Sequence, residues 1–172
     1  MLRFFLDSAD RNLWETLVLQ GWVHGATTNP TLLERAGLTS SVQTALDLVR
    51  SATDLGLKEL QVQSWGGDHQ RLADNGRALA SLSPIVTVKV PATADGLRAA
   101  AQIKAEGYRV TLTACYTARQ CAAARVLGLD YVAPYYGRMI EAGIDPDARL
   151  DAMKTVAGDS LRILIASIRR AE

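Results

Sequence analysis

Several things are scarce in this chain. Its 172 residues include two cysteines, two histidines and only 6% aromatic residues. Cys115 and Cys121 lie six residues apart across an expected strand-to-helix junction. They read as small buried residues rather than as a disulfide or a metal pair. His24 and His69 alone cannot supply a histidine-based metal site, so no metal and no cofactor is expected. No apolar run approaches the ~20 residues needed to cross a bilayer. An excess of either charge is absent too: 19 Lys+Arg face 18 Asp+Glu, for a net charge of +1. That argues against a polybasic nucleic-acid or membrane surface and against an acidic solvating tail. The opening segment, Met1 to Asp7, meets an acid too soon for a secretory leader. Linkers, fixed repeats and low-complexity segments are also missing. What remains, 48% apolar and 22% charged, is the composition of an ordinary globular protein of about one domain. The expectation is a cytoplasmic, metal-independent protein.

Short apolar runs alternate with helical patterns along the whole length. The runs are Leu2–Leu6, Trp22–Ala26, Leu57–Val62, Ile85–Val90, Arg109–Thr113, Tyr131–Tyr135 and Arg162–Ala166. Each is rich in branched aliphatics and bounded by polar, Gly or Pro residues. Between them, Leu13 and Leu17, then Ala45, Leu48, Val49 and Ala52, then Leu97, Ala100, Ala101 and Lys104 fall at helical steps. Ser8 and Asp10 suit a helix start, Pro30 a first helical turn, and Gly56 and Gly107 helix ends.

Strand and helix in alternation imply a parallel sheet with crossover helices. The repeat averages about 27 residues, near the ~31 of an eight-unit barrel of typical length. A Gly-rich phosphate loop after the first strand, which an open nucleotide-binding sheet would favour, is absent. The fold expected is therefore α/β, a (β/α)8 TIM-type barrel of which about seven β/α units are present. Residues 1–172 are expected to form a single barrel domain.

Polar residues gather where such a barrel keeps its chemistry. Successive strand side chains alternate faces, so Ile85, Thr87 and Lys89 share the inner side while Val86, Val88 and Val90 face the helices. Thr111 and Thr113 share one face of the fifth run; Glu59, Gln61 and Gln63 share one face of the third. Asp7, Asn29, Tyr135 and Ser167 fall at or just past strand ends, where barrel active sites are built. A lysine in an apolar strand is desolvated, which lowers its pKa and frees an amine able to form a Schiff base. On its own Lys89 reads equally as a snorkelling strand-end lysine. Asp7 alone reads as a helix-start carboxylate, Tyr135 as a core-edge aromatic, Gln61 as a satisfied interior amide, and Arg138, Arg169 and Arg170 as surface cations. Their joint placement carries the functional reading.

At these residues the chain resembles the small transaldolase family, which includes fructose-6-phosphate aldolase. The matching segments are Phe5-Leu6-Asp7, Gly25 to Thr31, Val86 to Pro91 with Thr93 and Gly96, Tyr131 to Tyr135 with Gly137-Arg138, and Ala166 to Arg169. Five short matches in order, one per strand, span nearly the whole chain. The resemblance implies that Lys89 forms the Schiff base and that Asp7 moves protons at the carbinolamine and the substrate hydroxyls. It implies that Thr27 and Asn29 hold hydroxyls, and that Gln61, Thr113 and Tyr135 position the catalytic water and the proton-transfer step. Arg138, Ser167 and Arg169 would anchor phosphate, and the enzyme would be a homo-oligomer acting on sugar phosphates.

Transaldolases of the family usually carry Glu and Phe where this chain has Gln61 and Tyr135, so those positions lean towards the aldolase branch. The Ser167-Ile168-Arg169 segment leans the other way. Relatives continue past the seventh strand with a helix, an eighth strand and a further helix, so the last helix-strand-helix is expected to be lacking here. Three functions follow as expectations: a Schiff-base aldolase cleaving the C3–C4 bond of a ketose phosphate, a transaldolase, or a non-catalytic sugar-phosphate binder.

Overall fold

A computed structural model of the chain describes residues 2–168. Seven strands run in parallel, in the order in which they occur in the chain. They are β1 (Phe4–Asp7), β2 (Val23–Thr27), β3 (Glu59–Gln63), β4 (Val86–Pro91), β5 (Val110–Cys115), β6 (Tyr131–Pro134) and β7 (Arg162–Ile163). Helices α1 (Arg11–Val18), α2 (Pro30–Arg35), α3 (Val42–Asp54), α4 (His69–Ala80), α5 (Ala94–Ala105), α6 (Ala118–Val126), α7 (Tyr136–Glu141) and α8 (Pro146–Ala157) make the crossovers. Sequential neighbours with helical crossovers are the topology of a (β/α) barrel wall. The expected fold class and its seven units are found. No helix among the described residues is long and apolar enough to cross a membrane.

The strands lie where the apolar runs predict them, with shifts of a residue or two at the ends. The largest difference is in β7, which keeps only Arg162–Ile163; further on, Ala166 forms a lone bridge with Tyr135. Among the described residues β1 and β7 are the two sheet edges, and an edge strand is held by a ladder on one side only.

Helix faces are less faithful to the sequence reading. In α3 the expected Ala45, Leu48, Val49 and Ala52 are all buried. In α1 the expected Leu13 and Leu17 are not the buried pair: Trp14 is fully buried and Leu13 is 41% exposed. The indole has far more apolar surface to remove from water than a leucine, so it sets the rotation of this eight-residue helix. Its Nε1–H donates to the Ser8 carbonyl at 2.9 Å, tying down the loop that follows Asp7. In α5 the buried stripe is Gly96, Ala99, Ala100 and Ile103; of the expected Leu97, Ala100, Ala101 and Lys104 it includes Ala100, while the other three lie one position past a buried residue. Gly96 explains the rotation. A Cβ there would lie 1.8 Å from the Pro91 carbonyl oxygen, so only glycine lets the helix start this close to the end of β4. Lys104 instead reaches Asp130 at 2.7 Å.

The interior of the barrel is polar at its base. Glu59, 1% exposed, accepts hydrogen bonds from Thr87 at 3.0 Å, Gln61 at 2.8 Å and Tyr131 at 3.0 Å, and from Arg109 at 3.3 Å and Arg3 at 3.5 Å. Outside the strands Val88, Val90, Leu60 and Leu112 pack against helices in the main apolar core. Cys115 and Cys121 are buried free thiols.

Candidate active site

Local chain chemistry sets the site's frame. Asn29 caps α2 by accepting from the Leu32 N–H at 3.0 Å, and Pro30 follows at the first helical position. This pairing holds the turn after β2 at the mouth of the barrel. Thr93 caps α5 after β4, and Thr117 and Gln120 form a reciprocal capping box at α6 after β5. Ala114, with φ +58, is the extra residue where the β5–β6 register shifts. Such a bulge redirects side chains at a barrel rim.

At the carboxyl ends of the strands lies a cavity of about 550 Å³, within the range that holds a small organic ligand. Asp7, Asn29, Arg35, Gln63, Lys89, Tyr135, Arg138 and Ser167 line it, with the apolar Leu32 and Ile168. Six of the residues singled out from the sequence are thus brought together: Asp7, Asn29, Lys89, Tyr135, Arg138 and Ser167. Charged groups on the lining are three cations, Lys89, Arg35 and Arg138, and one carboxylate, Asp7. That balance favours an anionic ligand.

Lys89 is 2% exposed, and its amine donates to the Thr28 carbonyl at 3.0 Å. Burial pulls its pKa from the ordinary lysine range down to about 8, against the opposing pull of Asp7. The Asp7 carboxylate accepts from the Thr27 hydroxyl at 2.7 Å. Thr27, the ladder partner of Asp7 on β2, is itself buried and is not part of the lining, so it braces Asp7 from the neighbouring strand. Asn29 spends its carbonyl oxygen on the α2 cap, while its Nδ2 donors have no protein partner among the described residues. The buried Thr113 hydroxyl donates to the Tyr135 phenol at 3.3 Å, and burial raises the phenol's pKa above its ordinary value. Tyr116 stacks edge-on against the Tyr135 ring at 6.3 Å between centroids.

Gln61 lies one layer deeper than the cavity. It is fully buried, with its Nε2 on Glu59 and its Oε1 accepting from Thr111 at 2.9 Å. Its neighbour two residues along, Gln63, reaches the cavity instead. Alternation put both on one face, but only the strand register says which layer each occupies. Ser167 adopts φ +61, in the left-handed region, and its carbonyl accepts from the Gly137 N–H at 3.1 Å. This ties the segment after β7 to the start of α7 and so to Arg138. Arg169 lies outside the described residues. Gln63, Arg35 and the Glu59 cluster are the contributors that the sequence reading did not assign.

Comparison with known proteins bears on the family. Residues 4–170 match the family model described as transaldolase/fructose-6-phosphate aldolase. A probable transaldolase from Caulobacter sp. (strain K31) is 32% identical over 171 residues, covering 98% of this chain and 76% of the relative. One from Ruegeria sp. (strain TM1040) is 30% identical with the same coverage. By fold the chain is similar to a 4-hydroxy-tetrahydrodipicolinate synthase from Methylacidiphilum fumariolicum SolV, with a TM-score of 0.59 and 11% identity over 97% of this chain and 69% of the other. A barrel wall whose strand ends gather a desolvated lysine, a carboxylate and two arginines, matched by this family along almost its whole length, makes the chain a member of the transaldolase/fructose-6-phosphate aldolase family of enzymes.

Proposed function

We propose that this enzyme makes and breaks the C3–C4 bond of a ketose phosphate such as fructose 6-phosphate through a Schiff base on Lys89. The observation that carries the reading is the buried Lys89 amine on the cavity wall, its pKa lowered to about 8. The neutral amine adds to the ketone carbonyl; a proton passed through Asp7 to the carbinolamine hydroxyl lets it leave as water, and a protonated imine remains. Asp7 takes the proton of the C4 hydroxyl as the C3–C4 electrons flow into the imine, an aldehyde leaves, and an enamine remains. Tyr135, linked to Thr113, returns a proton to C3, and hydrolysis frees dihydroxyacetone and the lysine. Asn29 donates to a substrate oxygen, and Arg138 with Ser167 takes the phosphate. Borohydride reduction during turnover of fructose 6-phosphate tests the mechanism. The expected product is a covalent adduct on the peptide that carries Lys89; its absence overturns the reading.

A second reading, transfer of the dihydroxyacetone unit to an acceptor aldose phosphate, draws on the relatives named as probable transaldolases. The two readings differ in the fate of the enamine, and the Tyr135 phenol is the group that would decide it. Tyr135→Phe is expected to cut release of glyceraldehyde 3-phosphate from fructose 6-phosphate alone by roughly tenfold or more. Ketose formation in the presence of erythrose 4-phosphate should fall much less. An unchanged ratio would remove Tyr135 from control of the enamine.

Arg138 supplies a separate check. Its guanidinium, exposed at the cavity mouth with Glu141 at 4.0 Å, is expected to hold the phosphate by charge-assisted hydrogen bonds worth roughly 1.5–3 kcal/mol. Arg138→Ala should raise KM for fructose 6-phosphate by roughly 10–100-fold, with a far smaller change for non-phosphorylated dihydroxyacetone as donor. Equal losses for both would return Arg138 to the surface.

A further inference from the structure

Gln63 holds the one buried side-chain oxygen or nitrogen among the described residues that lacks a hydrogen-bond partner, its Oε1. A buried carbonyl oxygen left unpaired costs free energy comparable to a lost hydrogen bond, so native proteins seldom tolerate one without a purpose. Gln63 lines the same cavity as Lys89. It is also the ladder partner of Lys89: the two Cα positions are paired between β3 and β4, and the Ser64 N–H donates to the Lys89 carbonyl at 2.9 Å. Paired residues of neighbouring strands present their side chains on one face about 5 Å apart. Gln63 and Lys89 thus enter the cavity from adjacent strands at the same level and on the same face, whereas Arg138 and Ser167 follow β6 and β7.

Position and chemistry together restrict what can fill it. A carbonyl oxygen needs a donor, so a carboxylate or phosphate oxygen is excluded. The Lys89 amine donates to Thr28 and not to Gln63, and as a protonated imine it would keep a single N–H, which that bond uses. The part of a bound ketone nearest to Gln63 is a carbon adjacent to the one attached to Nζ, and in a ketose that carbon carries a hydroxyl, which can donate.

Resting on the Schiff-base reading, we propose that Gln63 is a specificity-determining residue. Its Oε1 accepts a hydrogen bond from a hydroxyl on a carbon adjacent to the imine carbon, and so selects α-hydroxylated ketones. Gln61, whose amide is fully engaged with Glu59 and Thr111, is unable to do the same.

The test follows borohydride trapping on Lys89 with three ketones, dihydroxyacetone, hydroxyacetone and acetone, in the wild-type enzyme, Gln63→Met and Gln63→Glu. Methionine keeps the length of the side chain and removes the acceptor. Gln63→Met is expected to slow trapping of at least one hydroxylated ketone, relative to acetone, by roughly tenfold, the size of one hydrogen bond. Gln63→Glu keeps an acceptor and should retain the preference for hydroxylated ketones. Its added negative charge beside the amine should move the pH dependence of trapping to higher pH. Equal slowing of all three ketones by Gln63→Met, or none, overturns the inference while leaving the Schiff base standing. Failure of the wild-type enzyme to trap any ketone at Lys89 overturns both.

Discussion

Lys89→Ala is expected to lose turnover by roughly 10⁴-fold or more and to lose all borohydride-trapped adduct. The magnitude is large because the variant removes a covalent route rather than weakening one contact. Asp7, Tyr135 and Arg138 would remain in place, yet none offers an amine that can convert a ketone into an electron sink. The wild-type enzyme should show a matching pH signature. Only the neutral amine attacks, and burial holds the Lys89 pKa at about 8. Adduct formation should rise with pH up to about 8 and then level off; an ordinary surface lysine would go on rising to about 10.4. Steady-state cleavage and trapping from pH 6 to 10 check both parts. Near-normal cleavage by Lys89→Ala would end the Schiff-base reading.

The second large effect concerns stability. Glu59→Ala is expected to lower the free energy of unfolding by about 3–5 kcal/mol. Glu59 is buried beneath the cavity, and its removal takes the acceptor from the Tyr131 O–H, which keeps only its bond from Arg3, and from the Thr87 hydroxyl and the Gln61 Nε2 at once. Arg3 and Arg109 are partly solvated, with side chains 32% and 35% exposed, so water offsets some of their loss. Buried hydroxyls and amides have no such relief. Glu59→Gln keeps the volume and some of the hydrogen bonds, so it should cost less. Urea unfolding of the three proteins checks this; a difference below about 1 kcal/mol between wild type and Glu59→Ala would show that the cluster is replaceable by water.

These two effects differ in how far the sequence foretold them. Lys89 was legible because a charged residue at an alternating inward position of an apolar strand violates the pattern around it. Asp7, Asn29 and Tyr135 were legible for a related reason, since strand ends in a barrel converge on one face. The Glu59 cluster left no such trace. Arg3 meets Tyr131 across 128 positions of sequence at 2.6 Å, and Tyr131 meets Glu59 across 72. Pairs so remote depend on the curl and register of the sheet, which alternation alone does not specify. The same gap separates Gln61 from Gln63: alternation puts both on one face of their strand, and their depths follow only from the pairing of β3 with β4. In α1 the spacing of Leu13 and Leu17 satisfied a helical stripe, but the greater apolar surface of Trp14 determined the face.

The partner of the Lys89 amine also has a consequence for the proposed cycle. Thr28 holds the nitrogen by a backbone carbonyl, an acceptor without charge and beyond the reach of side-chain substitution. An ammonium, a free amine and a protonated imine each carry at least one N–H. The same carbonyl can therefore keep hold of the nitrogen through all three states. A carboxylate in its place would cling to the charged forms and resist release of the proton. A neutral tether discriminates less between the charged and uncharged forms, so the nitrogen can stay anchored while its bonding to carbon is made and unmade.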